Sequence, residues 1–458
     1  DGTTLTILAS PESCYLPPEI AADHRVFGFA SHLYALRHGG DGGIGDFETL
    51  RRFTGMTVEL GGRYAGINPL HHMFPADRSR VSPYQPSDRR FIDPIYISIA
   101  QLLADCPLPK TARLADARRA AFAQLEKLPL VDYAAHWPAK RDLLECAFSE
   151  IASLPELDAF MAAEGPGLAR HGAFEAQQAG EAPEAPRIRF RAFLELIARQ
   201  QLARAATHNV LYRDLALGSA FDGGEIAGDP AAFIDTISLG APPDPFAQNG
   251  QVWNLPAFSP LELARRGLEP MAAILRANMR SAAALRIDHI LGFARQFWVP
   301  RGAEGKAGAY VRFPMEALIA LTAIESQRAR CLIVGEDLGT VPDGLRQALH
   351  DAAILSYRVL WFEREGAQFK DPATYPARAL CCLASHDLPT FSGWRKGRDI
   401  AIAEDLGHLT PTVAATQRSE RQKEIAALDQ ASGNGWKDEQ DAAIAVHGFV
   451  ARAPSAVC

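Results

Sequence analysis

The sequence predicts an α/β fold organised around a parallel sheet, open or closed. Two patterns carry this reading. Short segments rich in apolar and β-branched residues end abruptly in polar ones, as strands buried on both faces do. Between them lie Ala-, Leu-, Arg- and Glu-rich stretches with helical spacing, so that strand and helix alternate. A third observation sets the scale: 458 residues, 48% hydrophobic and 22% charged, can bury a large core, and α/β barrels take roughly 200 to 250 residues or more as one unit.

Taken in order, the first strands are Val26 to Tyr34 and Tyr64 to Asn68. From about Ile99 to Leu202 the strand pattern disappears, and Pro, Gly and Glu punctuate helical text, as at Gly180 to Pro186; an inserted helical subdomain is expected. Asn209 to Leu217 is the next strand. The stretch Gly218 to Pro260, rich in Gly, Pro, Asp and Asn, is too long and turn-prone for a simple connection and reads as a lid or binding loop. Ala283 to Asp288, Leu332 to Glu336, Ile354 to Leu360 and Ala379 to Asp387 complete the strands, with helices such as Pro270 to Ser281 and Pro314 to Arg330 between them. The polar, helical tail from Glu404 to Gln440 reads as a solvated helix pair.

The formal charge of −7, with no block of Lys and Arg, argues against nucleic acid as a partner. The longest apolar runs, Ala317 to Ile324 and Ala379 to Ala384, fall short of the ~20 residues of a membrane-spanning helix, so no membrane span is expected. The cysteines Cys14, Cys106, Cys146, Cys331, Cys381, Cys382 and Cys458 are scattered without metal-ligand spacing and read as thiols in a reducing cytoplasm. Cys381 and Cys382, in an apolar run, are assigned to the core.

In a barrel of parallel strands, chemistry sits at the carboxyl ends of the strands, where the loops open. Three predicted strands end in acids: Leu285-Arg-Ile-Asp288-His289, Leu332-Ile-Val-Gly-Glu336-Asp337 and Cys382-Leu-Ala-Ser-His386-Asp387. A lone strand-end acid commonly caps the next helix. Three of them, separated by enough chain for a helix and a loop each, form the set that glycosidic chemistry needs: a carboxylate nucleophile, a protonated acid for the leaving oxygen, and negative charge near an oxocarbenium-like transition state. A metal site would call for a tighter ligand cluster such as His-x-x-x-His or a Ca²⁺ loop, and neither a metal nor a cofactor is expected. Glu336, which follows an apolar run, suits the acid that must keep its proton. Asp288 shares a strand face with Arg286, two residues earlier, which suits an ionised nucleophile.

These blocks resemble the signatures of the amylomaltase, or disproportionating-enzyme, family: Arg286-Ile-Asp-His289, Glu336-Asp-Leu-Gly339, and His386-Asp387 followed by Gly393-Trp394. Gly43-Ile-Gly-Asp-Phe47, Ile67-Asn-Pro-Leu70, Ser82-Pro-Tyr84 with Arg90-Phe-Ile-Asp-Pro94, and Gly240-Ala-Pro-Pro-Asp244 running to Gly250-Gln-Val-Trp253 are further family blocks in the family's order. Together they cover most of the chain from about Arg25 to Arg395.

The resemblance implies a (β/α)8-type TIM barrel with helical and loop insertions, lacking its C-terminal strand in this chain. It implies a 4-α-glucanotransferase that moves α-1,4-glucan segments from maltooligosaccharides, starch or glycogen to glucose or glucan acceptors through a covalent glycosyl-aspartate. Asp288 is then the nucleophile, Glu336 the general acid and base, and Asp387 the stabiliser that grips sugar hydroxyls. Arg286, His289 and His386 line the sugar site, Asp222 matches the family's Asp-Ser-Ala-Glu type of block, and Tyr84 shapes the donor side. Asp244 to Trp253 corresponds to a mobile lid over the acceptor site, where Phe246, Gln251 and Trp253 meet glucose units; aromatic faces suit pyranose rings.

The domain expectation is a remnant of an accessory domain at 1–20, a first part of the barrel at 21–98, the helical insertion at 99–202, the rest of the barrel at 203–400 with the lid insertion at 218–260, and a truncated helical region at 401–458. The competing readings are an α-amylase-type retaining hydrolase and an inactive glucan-binding fragment. An aldolase-like barrel would need a Schiff-base lysine at a strand end. The lid's length and composition favour transfer over hydrolysis.

Overall fold

Seven parallel strands stand where the sequence places them, in a computed structural model that describes residues 6–151, 154–243, 248–433 and 435–458. The chain divides into two units, one of Asp1–Tyr15 with Gly28–Ile333, the other of Leu16–Phe27 with Val334–Cys458.

The described strands of the first unit are, in chain order, β1 (Gly28–Ala30), β2 (Tyr64–Gly66), β3 (His71–His72), β4 (Asp88–Ile92), β5 (Leu211–Leu215), β6 (Phe233–Ala241), β7 (Gln251–Phe258), β8 (Ala284–Ile287), β9 (Arg295–Pro300), β10 (Ala309–Arg312) and the start of β11 (Leu332–Gly335). β1 pairs in parallel with β2, β2 with β5 and β5 with β8. The Leu332 amide opens β11 by donating to the Ala283 carbonyl at 3.0 Å. Ala65, Leu211, Leu285 and Leu332 are all buried, as strands covered on both faces require. β1 and β2 approach so closely that a Cβ on Gly28 would lie 2.2 Å from the Tyr64 carbonyl oxygen.

The helix Phe47–Glu59 crosses from β1 to β2. Its start is fixed by Asp46, whose carboxylate accepts from the Glu48 and Thr49 amides in a capping box. The Gly43-to-Phe47 block thus has a structural use of its own. After β4 come, among the described residues, the helices Ile99–Asp105, Pro109–Leu125, Tyr133–Glu150, Pro155–Glu164, Pro166–Gln178 and Ala185–Ala205, several opened by a proline whose missing N–H costs nothing there. Leu144, Leu157, Leu168 and Phe193 from these helices join Leu33, Phe47, Leu50 and Ala65 in one core cluster.

The segment read as a turn-rich loop holds more order than expected. β6 and β7 form an antiparallel hairpin inside a four-stranded sheet of order β10-β9-β6-β7. Register shifts between Ile234 and Ser238 and between Ser238 and Gly240 break the period-2 alternation that would have marked the strands.

In the second unit, the end of β11 pairs in parallel with β12 (Leu355–Val359), and β12 with a strand at Ala379–Cys382. Between those two lies a short antiparallel pair, β13 (Arg364–Glu365) with β14 (Gln368–Phe369), so the third parallel strand is β15. Val457 makes parallel bridges to Val26 on one side and to Leu380 on the other, the pairing an eighth strand would make. The Arg25 guanidinium secures the same segment by donating to the Ala451 and Ala453 carbonyls. β15 is shorter than the strand that the sequence predicts to Asp387: the chain turns at Ser385, whose carbonyl accepts from the Leu388 amide, just ahead of Pro389. The tail forms the helices Arg398–Asp405, Pro411–Ser432 and Glu439–Val450. Only Ala414 and Leu428 of the long middle helix are buried, as a largely solvated helix requires.

Candidate active site

In the first unit, the end of β8 sets up a charged cluster. Arg286 and Asp288 are two residues apart and project from the same face. The Arg286 Nη2 lies 2.8 Å from an Asp288 carboxylate oxygen, and its Nη1 donates to Oδ1 of Asp214 on the neighbouring strand β5 at 2.9 Å. The Tyr84 hydroxyl donates to the other Asp214 oxygen at 2.6 Å. Burial first, and then the Asp214 charge, push the Tyr84 phenol well above its ordinary range, so Tyr84 remains a proton donor. The sequence alone does not single out Asp214. The signal available was an acid inside the buried strand Leu-Tyr-Arg-Asp-Leu, where an unpaired charge would be costly.

His289 follows Asp288 in the left-handed region, at φ 47°. This conformation is uncommon for a residue with a side chain and is often found at functional sites. Burial lowers the His289 pKa from its ordinary value, against the pull of Asp288, which favours a neutral ring. The indole of Trp253, near the start of β7, meets the His289 ring edge-on, with centroids 5.1 Å apart. The Trp253 Nε1–H donates to the Gln251 side-chain oxygen at 3.0 Å, and the Trp253 carbonyl accepts from Gln85 at 2.8 Å. One cluster therefore joins Tyr84, Asp214, Trp253, Arg286, Asp288 and His289. Asp222 lies apart from these contacts, 70% exposed and paired with Arg80 at 2.8 Å. Asp244 and Phe246 lie outside the described residues.

In the second unit, Glu336 directly follows β11. It is 7% exposed, and its Oε1 accepts from the Leu338 amide at 2.8 Å. Its neighbour Asp337 has a different task. Fully buried, Asp337 accepts from the Tyr357 amide and from Arg346 and Arg358, tying β11 to β12. Asp387 sits in the loop after β15, 71% exposed, with His386 Nε2 3.1 Å from its carboxylate. Among the described residues, no group of three or more His, Cys, Asp or Glu side chains could hold a metal ion.

A family model described as 4-alpha-glucanotransferase matches residues 31–185 and 177–458. The chain belongs to the 4-alpha-glucanotransferase family. A relative of that name from Haemophilus influenzae is 32% identical over 93% of this chain and 68% of its own length. Another, from Mycobacterium tuberculosis, is 30% identical over 98% and 69%. The solved amylomaltase of Corynebacterium glutamicum superposes with a TM-score of 0.89 at 28% identity, covering 98% of this chain and 69% of its own. An amylomaltase from Streptococcus agalactiae, solved with acarbose, shares the fold at a TM-score of 0.75 and 16% identity, over 94% and 89%. The enzyme is thus a glycosyltransferase that carries out glucan transfer on an α/β fold of the TIM-barrel type. Among the described residues, no helix is long and apolar enough to cross a membrane.

Proposed function

We propose that the enzyme transfers α-1,4-glucan segments between maltooligosaccharides or longer α-1,4-glucans by a retaining double displacement. An Asp288 oxygen attacks the anomeric carbon as Glu336 gives its proton to the departing glycosidic oxygen, leaving a glycosyl ester on Asp288. The acceptor hydroxyl then displaces Asp288 while Glu336 takes back a proton. Asp387 holds sugar hydroxyls as the ring flattens, and Arg286, His289, His386, Tyr84 and Asp222 line the sugar site. The observation that carries this reading is the 2.8 Å pairing of Arg286 with Asp288, a charge-assisted contact that fixes a carboxylate at the end of β8.

Transfer requires that water be kept from the glycosyl-enzyme until an acceptor arrives. The segment Asp244 to Trp253 is proposed for this role, with Phe246, Gln251 and Trp253 contacting the acceptor. Residues 99–202 and 218–260 are read as insertions into a barrel of 21–98 and 203–400, with 401–458 a helical addition. The proposed setting is the cytoplasm, in keeping with cysteines scattered along the chain without metal-ligand spacing.

Incubation with pure maltotriose, followed by chromatography and a glucose assay, tests the assignment. A ladder of longer maltooligosaccharides with glucose is expected, falling on the order of 10⁴-fold or more in Asp288→Asn. Glucose and maltose without a ladder would instead mean hydrolysis. Acarbose, the ligand of the Streptococcus agalactiae amylomaltase structure, is expected to suppress the ladder.

A further inference from the structure

Arg213 precedes Asp214 on β5, so its side chain leaves the opposite face of the sheet from the Asp288 cluster. There it is 4% exposed. Its Nη1 donates to the Ala277 and Arg280 carbonyls at the end of the helix Glu269–Met279, and its Nη2 to the Asn278 side-chain oxygen at 3.3 Å. The Nε, also buried, has no hydrogen-bond partner among the described residues.

Arg213 lines a narrow pocket with Arg89, Arg90, Arg199, Arg280 and Glu195, between β4, β5 and the helix Ala185–Ala205. The other arginines have acids of their own. Arg89 pairs with Glu225, Arg90 with Asp88 and Arg199 with Glu195, and Arg280 faces Glu164 at 3.6 Å. Five guanidinium groups thus meet four carboxylates, and Arg213 is the one left over. Its partners are neutral acceptors, and the helix end returns only a partial negative charge, roughly half a unit. A buried cation without a counter-charge is costly. Burial, with the Arg280 and Arg199 charges, lowers the Arg213 pKa to about 10, which leaves it charged at neutral pH. We infer that this pocket binds a small monovalent anion of the halide class, which accepts from the Arg213 Nε–H and lies in the field of Arg199 and Arg280.

The size and charge of the pocket select the ligand. It has room for one small ion or water molecule, so a carboxylic acid or a phosphate ester does not fit. One excess positive charge matches a monovalent ion, whereas a water would satisfy the Nε–H and leave the charge uncompensated. Bound there, the anion ties β4, β5 and two helices together, so its effect is on stability.

The test uses the full chain, with chloride and bromide as probes. Melting temperature is measured as chloride replaces gluconate, which is too large for the pocket, at constant ionic strength. A saturating rise of about 2 °C or more is expected in the wild type, and none in Arg213→Gln. If Arg213→Gln does not fold, Arg280→Gln on the pocket rim decides, with a midpoint expected at about threefold higher chloride or more. A response equal in the variant and the wild type is a general salt effect and overturns the inference. Crystals soaked in sodium bromide should show an anomalous peak at hydrogen-bond distance from the Arg213 Nε. Water at that position overturns the inference. A bromide peak in a protein whose melting ignores chloride means an adventitious ion only, and defeats it equally.

Discussion

Arg286 is one of two basic residues in adjacent paired strands that meet very different partners. Arg213 on β5 donates to the Ala277 and Arg280 carbonyls, a structural task, whereas Arg286 faces two carboxylates. The planar fork is what allows one cation to serve two acids in fixed directions, and a lysine ammonium cannot reproduce it. Arg286→Lys is therefore expected to lower kcat for maltotriose disproportionation by about 10²-fold, with a smaller change in KM, measured by initial rates of glucose release. Asp288 was legible in the sequence because Arg-x-Asp at a strand end states both partners and their shared face. Asp214 was not, because an acid within a strand shows its purpose only when the opposite strand is known. Asp337 shows the same limit: beside Glu336 it reads as a second candidate, and only its contacts with Tyr357, Arg346 and Arg358 mark it as a strand tie.

At the scale of elements, the parallel strands were readable from continuous apolar runs, and each of the seven expected segments contains one. The β6–β7 hairpin was not. Its strands carry bulges and a proline, Pro256, within β7, features that argue against strand on sequence grounds. The hairpin can be tested through its closest approach, where a Cβ on Gly240 would stand 2.1 Å from the Gln251 carbonyl oxygen. That contact is with backbone, so the strands must part. Gly240→Ala is expected to destabilise the enzyme by about 1–3 kcal/mol and to raise hydrolysis relative to transfer, because β7 carries Gln251 and Trp253. Replacing Asp244 to Trp253 by a short Gly-Ser linker should raise the hydrolytic share further, read as the ratio of glucose and maltose to longer products. An unchanged ratio in the linker variant would remove the lid role.

At the scale of the whole molecule, the alternation of strand and helix announced an α/β protein, and the ordered blocks pointed to the family. The polar interior was invisible to either signal, because burial of a charge depends on partners far away in sequence. His72 on β3 is the clearest case. Its Nε2 lies 3.0 Å from the Glu175 carboxylate of the helix Pro166–Gln178, with both side chains buried. Burial alone would depress the His72 pKa, but Glu175, with help from Asp93, outweighs it and raises the value from 6.5 to about 9. The ring of His171 stands perpendicular to it at 4.5 Å and is held far below 6.5 by burial and by the His72 charge, so one imidazole is charged and the other neutral. The signs follow. A folded value above the unfolded one means that the His72 contribution is complete below pH 6.5 and is lost as pH rises through about 9. His171, depressed on folding, contributes above pH 6.5 and loses its contribution as pH falls below that value. His72→Gln should therefore melt lower than the wild type near pH 6 by roughly 3 °C or more, with the gap closing as pH is raised past 9. Melting curves of both proteins across pH 5.5 to about 9.5 check this, and a gap that stays constant over that range would mean that His72 is neutral in the folded chain and that Glu175 is held by other means.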